Sequence, residues 1–74
     1  MSGWWLYMCE KKGRLYVGIT TNIEKRLKQH GSPKLLHKEG PFEKQAAGKR
    51  EKQIKKWTRE KKLHLISKGT GKLR

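Results

Sequence analysis

Apolar residues recur along this chain with two different periods, and the switches between them mark its elements. Trp4-Trp5-Leu6-Tyr7-Met8-Cys9 is an apolar run of strand length, rich in aromatics. It is apolar on both faces, which predicts a central strand. Leu15, Val17 and Ile19 then alternate with Tyr16, Gly18 and Thr20, the pattern of a half-buried strand. Glu10 to Arg14 reads as a turn around Gly13, so the two runs predict a hairpin. Its register is open. A four-residue loop, Lys11 to Arg14, sets Cys9 opposite Tyr16 and Tyr7 opposite Gly18, with both tyrosines on one face. A three-residue loop puts the tyrosines on opposite faces.

From Asn22 to His30 the period becomes helical. Thr21-x-x-Glu24 has the form of a capping box, and Gly31 suits a C-terminal cap, with Ser32 and Pro33 ending the helix. Lys34 to Glu39 predicts a third short strand, broken by Gly40-Pro41. A second helix is expected from Glu43 to Trp57, with a stripe of Ala47, Arg50 and Glu51, Ile54 and Trp57. Gly48 lowers its local propensity and offers room for a close approach. Thr58 is placed to cap a third helix, about Arg59 to Ser67, with Leu63 and Ile66 facing inward. Gly69 to Arg74 reads as a frayed tail. The order is β-β-α-β-α-α in one domain over residues 1–74, with its core at about 4–67 and a tail at 68–74. A small antiparallel sheet covered by helices, an α+β fold, is the expected architecture.

Composition narrows the partners. A core this small is marginal, and no staple is visible. Cys9 is the single cysteine, so no intrachain disulfide can form, and it reads as a small core residue. Cys9 with His30, His37 and His64 lacks zinc-site spacing. No run is long enough to span a membrane, and Trp4 to Cys9 is too short for a signal peptide, so a soluble, cytoplasmic protein is expected. Twenty Lys and Arg against six acids give a formal charge of +14. Self-repulsion at that charge opposes folding unless a polyanion offsets it. Nucleic acid is the leading partner. An anionic membrane surface is second, but a broad apolar helix face is lacking. Nothing points to an obligate protein partner.

Candidate chemistry comes from residues that break the pattern. In the helix after the hairpin, the stripe positions hold Ile23, Arg26, Leu27 and His30. A buried unpaired charge is costly, so Arg26 is expected at the stripe's edge, aimed at something anionic. All six acids are Glu. Glu24, Glu43 and Glu60 fit first turns of helices, where a negative charge suits the dipole. Glu10 and Glu39 fit strand ends beside turns. Glu51 remains: it lies mid-helix beside the stripe, among Lys49, Arg50 and Lys52. An ion pair with Arg50 or Lys55 is its ordinary reading. Its other reading is one carboxylate holding a hydrated divalent cation, with substrate oxygens as further ligands. Phosphate polarisation by Mg²⁺, an arginine on the phosphate and a tyrosine moving a proton are the ingredients of phosphodiester hydrolysis.

In this order the residues resemble the GIY-YIG nuclease family. The resemblance is carried by Leu6-Tyr7, Tyr16-Val17-Gly18, Ile19-Thr20-Thr21, Arg26, His30, Lys49 to Trp57 with Glu51, and Lys61 to Ile66. It covers about residues 4–66 and is nearest to small, single-domain members of bacterial type. It implies a three-stranded antiparallel sheet flanked by helices and a metal-dependent endonuclease acting on DNA. It implies a single divalent cation, Mg²⁺ or Mn²⁺, held by Glu51, with Arg26 on the scissile phosphate and Tyr7 and Tyr16 lining the site. His30 would assist, and Gly18 would leave room for the arrangement. Lys28, Lys49, Lys52 and Lys55 are the expected nucleic-acid contacts. The chain departs from the family in three places. Only Tyr7 of Trp5-Leu6-Tyr7 matches the first motif strictly. The link Gly31-Ser32-Pro33 is short. No late asparagine is present, Ser67 and Thr70 standing in that region. The alternatives are a non-catalytic nucleic-acid-binding module of the same fold and, more remotely, an interaction domain for an acidic protein.

Overall fold

Lys12 and Gly13 both take positive φ, 54° and 77°, the backbone of a type I′ turn whose twist matches its flanking strands. The structure, a computed structural model, describes residues 3–72, with side chains as far as Ser67. The turn joins β1 (Trp4–Lys11) to β2 (Arg14–Thr20), followed by α1 (Ile23–Gln29), β3 (Lys34–Phe42), α2 (Lys44–Lys55) and α3 (Arg59–Lys72). The loop is two residues, because the ladder continues until Lys11 faces Arg14. Cys9 faces Tyr16 and Tyr7 faces Gly18. That is the pairing of the longer predicted loop, with both tyrosines on one face.

The sheet has three antiparallel strands in the order β2-β1-β3. The strand that is apolar on both faces is therefore the central one. Gly40-Pro41 does not end the third strand, as the breaker pattern predicts, but lies inside β3. On an edge strand, proline forfeits no ladder bond on its solvent side. The pairing also shifts by one between Leu6–Glu39 and Trp4–Phe42, which absorbs the irregularity.

The cap of α1 is Asn22, not the predicted Thr21 with Glu24. Asn22 is extended (φ −144°), and its Oδ1 accepts from the Lys25 N–H at 3.0 Å. Asparagine is the stronger cap, and Thr20 Oγ1 fixes its backbone by accepting from Asn22 N–H at 3.1 Å. At the other end, Gly31 is left-handed (φ 81°). Ser32 N–H donates to Leu27 O at 2.7 Å and Gly31 N–H to Lys28 O at 3.3 Å, the two bonds of a Schellman cap.

Leu6, Met8 and Ile54 are fully buried between sheet and helices, with Val17, Ile19, Phe42, Trp57, Leu65 and Ile66 packed around them. Leu63, predicted to face inward, is 42% exposed. Leu63 and Leu65 are two residues apart, about 200° around a helix, so packing Leu65 and Ile66 turns Leu63 outward. Helix α3 runs through Gly69 and Gly71 to Lys72, five residues beyond the predicted helix end at Ser67. Glycine costs a helix only about 1 kcal/mol, far less than proline. Of the predicted tail, residues 73–74 and the Thr70 side chain lie outside the described residues. Gly48 meets nothing within 4 Å of an added Cβ, so no close approach occurs there.

A polar clamp fastens α2 to β3. Arg50 Nε donates to Glu39 Oε1 at 2.9 Å and Arg50 Nη2 to Glu39 Oε2 at 3.1 Å, a bidentate pair. His37 Nε2 meets the same Oε2 at 2.9 Å, and Arg50 Nη1 donates to Gln53 Oε1 at 3.0 Å. The Arg50 guanidinium also lies 5.3 Å from the Trp57 ring centre, with Lys61 Nζ at 4.6 Å. Glu39 is thus mid-strand in a clamp, not the strand-end acid that its neighbouring glycine suggests. Burial pushes its carboxyl up, but hydrogen bonds and charge from Arg50 and His37 outweigh this and hold it below the ordinary 4.5. Among the described residues, no helix is long and apolar enough to cross a membrane.

Candidate active site

Strand pairing builds the first wall of the site. Because Tyr7 faces Gly18 across the ladder, the Tyr7 ring lies over the glycine. A Cβ at Gly18 would stand 2.6 Å from Tyr7 Oη and 2.8 Å from Cζ, so the ring fits only because that side chain is missing. Tyr7 is buried at 5% exposure, while Tyr16 on the same face is 47% exposed. The two phenols therefore sit in different media.

Helix α1 brings the second wall. Its Asn22 cap and Gly31 terminus fix a helix of seven residues with no buried side chain. What ties it to the sheet includes a side-chain hydrogen bond: Arg26 Nε donates to Tyr7 Oη at 3.3 Å. Arg26 is exposed overall, which matches a guanidinium at the edge of its stripe. One nitrogen is engaged and the outer N–H groups remain available to an anion.

Helix α2 brings the third wall. Ala47 and Ile54 are fully buried, and this phase leaves Glu51 between them partly covered. Its side chain is 22% exposed, and Lys55 Nζ lies 3.3 Å from Oε2. The ion pair that the helix spacing allows is formed with Lys55, because Arg50 is committed to Glu39. Both Glu39 oxygens are occupied, so Glu51 is the carboxylate left to the cavity.

These walls enclose an open cavity of about 600 Å³. Tyr7, Tyr16, Gly18, Arg26, His30 and Glu51 all line it, as does Lys55. Lys28, Lys49 and Lys52 are exposed and do not line it. Lys11 and Lys12 do, and nothing in the sequence pattern marked them beyond their place in the hairpin turn. The cavity therefore sets four cations, Lys11, Lys12, Arg26 and Lys55, against one carboxylate, Glu51. Such a lining concentrates anions. Cys9 also borders it; burial pushes its thiol up, more than Lys11 pulls it the other way, which disfavours the reactive thiolate.

The donor set limits what metal could sit here. Among the described residues, no three His, Cys, Asp or Glu side chains gather to hold an ion. One carboxylate on an open cavity fits a hard cation that keeps several waters and takes further oxygens from a phosphate.

Comparison with known proteins identifies a family. Residues 3–40 match the GIY-YIG catalytic domain. That segment carries Tyr7, Tyr16, Gly18, Arg26 and His30 and stops before Glu51. A UPF0213 protein of Syntrophus aciditrophicus is 40% identical, over 89% of this chain and 92% of its own length. The UPF0213 protein YhbQ of Shigella dysenteriae is 32% identical, over 96% of this chain and 84% of its own. UPF0213 protein CPE1444 of Clostridium perfringens is 42% identical, over 77% of this chain and 74% of its own. No solved structure matches significantly. The matched segment includes the hairpin that seats Tyr7 on Gly18, the helix that holds Arg26 against it and most of β3, and the chain belongs to the GIY-YIG family, with that family's nuclease fold.

Proposed function

We propose that the cavity hydrolyses DNA phosphodiester bonds with one divalent cation, Mg²⁺ or Mn²⁺. The observation that carries this reading is the convergence of Tyr7, Tyr16, Arg26 and Glu51 on one cation-lined cavity. Glu51 would hold the ion. When bound, the ion supplies positive charge against the phosphate and the departing oxygen. Arg26 binds the phosphate through the N–H groups that Tyr7 does not use and holds charge there as it develops. Tyr7, packed on Gly18, keeps that guanidinium in place. Tyr16, the exposed phenol, is suited to relay a proton from the attacking water, accepting it as its own hydroxyl proton passes to solvent. His30 borders the cavity from the end of α1 and assists in moving that proton. Lys11, Lys12 and Lys55 neutralise the phosphates on either side, and Lys28, Lys49 and Lys52 extend the basic surface beyond the cavity.

A second reading, a nucleic-acid-binding module without catalysis, is favoured by the Glu51–Lys55 ion pair, which engages one oxygen of the carboxylate. The two readings part in a nicking assay on supercoiled and branched DNA with Mg²⁺ or Mn²⁺. The first expects metal-dependent nicking that Glu51→Ala abolishes. It also expects Arg26→Ala to slow nicking by roughly 10²–10³-fold, as lost oxyanion donors do. Equal nicking by Glu51→Ala and wild type would refute it. The second expects steeply salt-dependent binding, indifferent to metal and to Glu51, with no nicking.

A further inference from the structure

The hairpin tip borders a second hollow, of about 270 Å³, lined by Arg14, Leu15, Arg59 and Lys62. Three of its four lining residues are cations, and no carboxylate lines it. Among the described residues, none of the three takes part in an ion pair. Glu60, the acid in the first turn of α3, is not part of the lining. The cations are held by rigid elements. Arg14 opens β2, and Arg59 and Lys62 are one turn apart on α3. Arg59 Nη1 donates to Gly13 O at 3.2 Å, which docks the helix start against the turn. Three unpaired cations around one hollow repel one another unless an anion enters.

The two hollows are neighbours through the chain itself. Lys11 and Lys12 line the catalytic cavity, and Arg14 and Leu15 line the second hollow. Only Gly13 separates them, so Lys12 and Arg14 lie at most about 7 Å apart along the backbone. Successive phosphates on a DNA strand advance about 3.4 Å along the axis. A strand with one phosphate in the cavity can therefore lay a nearby phosphate across the tip.

We propose that Arg14, Arg59 and Lys62 form a phosphate-binding subsite for the DNA backbone next to the cleaved position. The subsite holds the strand on both sides of the hairpin tip and so fixes which phosphate reaches Arg26. It rests on the reading that the cavity takes DNA, and it does not require that DNA be cut.

The test measures binding of a labelled DNA duplex to full-length protein carrying Glu51→Gln, without divalent metal, across a salt series. Arg14→Gln with Lys62→Gln leaves Arg59 on Gly13. This pair should lower the slope of log affinity against log salt by about 1.8, two contacts at ~0.9 each, and weaken binding roughly 60-fold at ~0.1 M salt. Lys25→Gln with Lys34→Gln removes the same charge from exposed positions outside both hollows, and should change the slope by much less. An unchanged slope in the first pair, or an equal change in both pairs, overturns the subsite. Nicking by the wild type is scored separately. Nicking with an unchanged slope removes the subsite and leaves catalysis standing. A lowered slope without nicking supports the subsite on a binding module.

Discussion

A methyl group added at Gly18 would stand 2.6 Å from Tyr7 Oη. The ring cannot yield without losing the hydrogen bond that Arg26 Nε gives it. Gly18→Ala should therefore cost about 1–3 kcal/mol, the range for an overfilled site, and slow any nicking along with it. Denaturant midpoints compared with wild type check the first effect, and an unchanged midpoint would show that the ring has room. The reason for this glycine depends on register. The alternating pattern of Leu15 to Thr20 leaves that register open, because two loop lengths suit Glu10 to Arg14. Arg26 was legible for the opposite reason, since a charge in a helical stripe breaks a local rule at once. Glu51 was reached by elimination among six acids. The same elimination placed Glu39 wrongly, because its partner Arg50 is eleven residues away and on another element.

At the scale of elements, strands and helices were legible and their exact phases less so. The run that is apolar on both faces is the central strand, and Gly31 closes α1 as its position suggests. The α1 cap was misread because Thr21 and Asn22 are both good caps and adjacent. Asn22→Ala should cost about 1 kcal/mol, while Thr21→Ala should cost little; equal losses in thermal melts would restore the capping box. Packing of α3 was misread because Leu63, Leu65 and Ile66 allow two stripes, and contact with the sheet selects one. The clamp between α2 and β3 makes a pH prediction. The folded Glu39 carboxyl is held below its ordinary 4.5. Its contribution is therefore present above that value and lost as pH falls through the lower folded value. Glu39→Gln should cost about 1–3 kcal/mol at neutral pH, where the charged hydrogen bonds are lost. It should also lessen the fall in stability below about pH 4.5. Parallel acid limbs in the two proteins would contradict the clamp.

For the whole molecule, a formal charge of +14 pointed to a polyanion before any site was visible. The fold gives that charge a shape. Four cations line the cavity that Tyr7, Arg26 and Glu51 share, three line the neighbouring hollow, and the hairpin tip stands between them. This distribution was not legible, because Lys11, Lys12, Arg14 and Arg59 are unremarkable among twenty basic residues until the strands pair. The same folding step brings Tyr7, Arg26 and Glu51 together from β1, α1 and α2. The central claim is that Glu51 brings a divalent cation into that shared cavity. Its most direct test follows the backbone amide resonances while small amounts of Mn²⁺ are added in the presence of a short DNA duplex. The account expects resonances of Tyr7, Tyr16, Gly18, Arg26 and Glu51 to broaden together, and Glu51→Gln to remove that broadening. Broadening elsewhere on the chain, or the same broadening in Glu51→Gln, would contradict it.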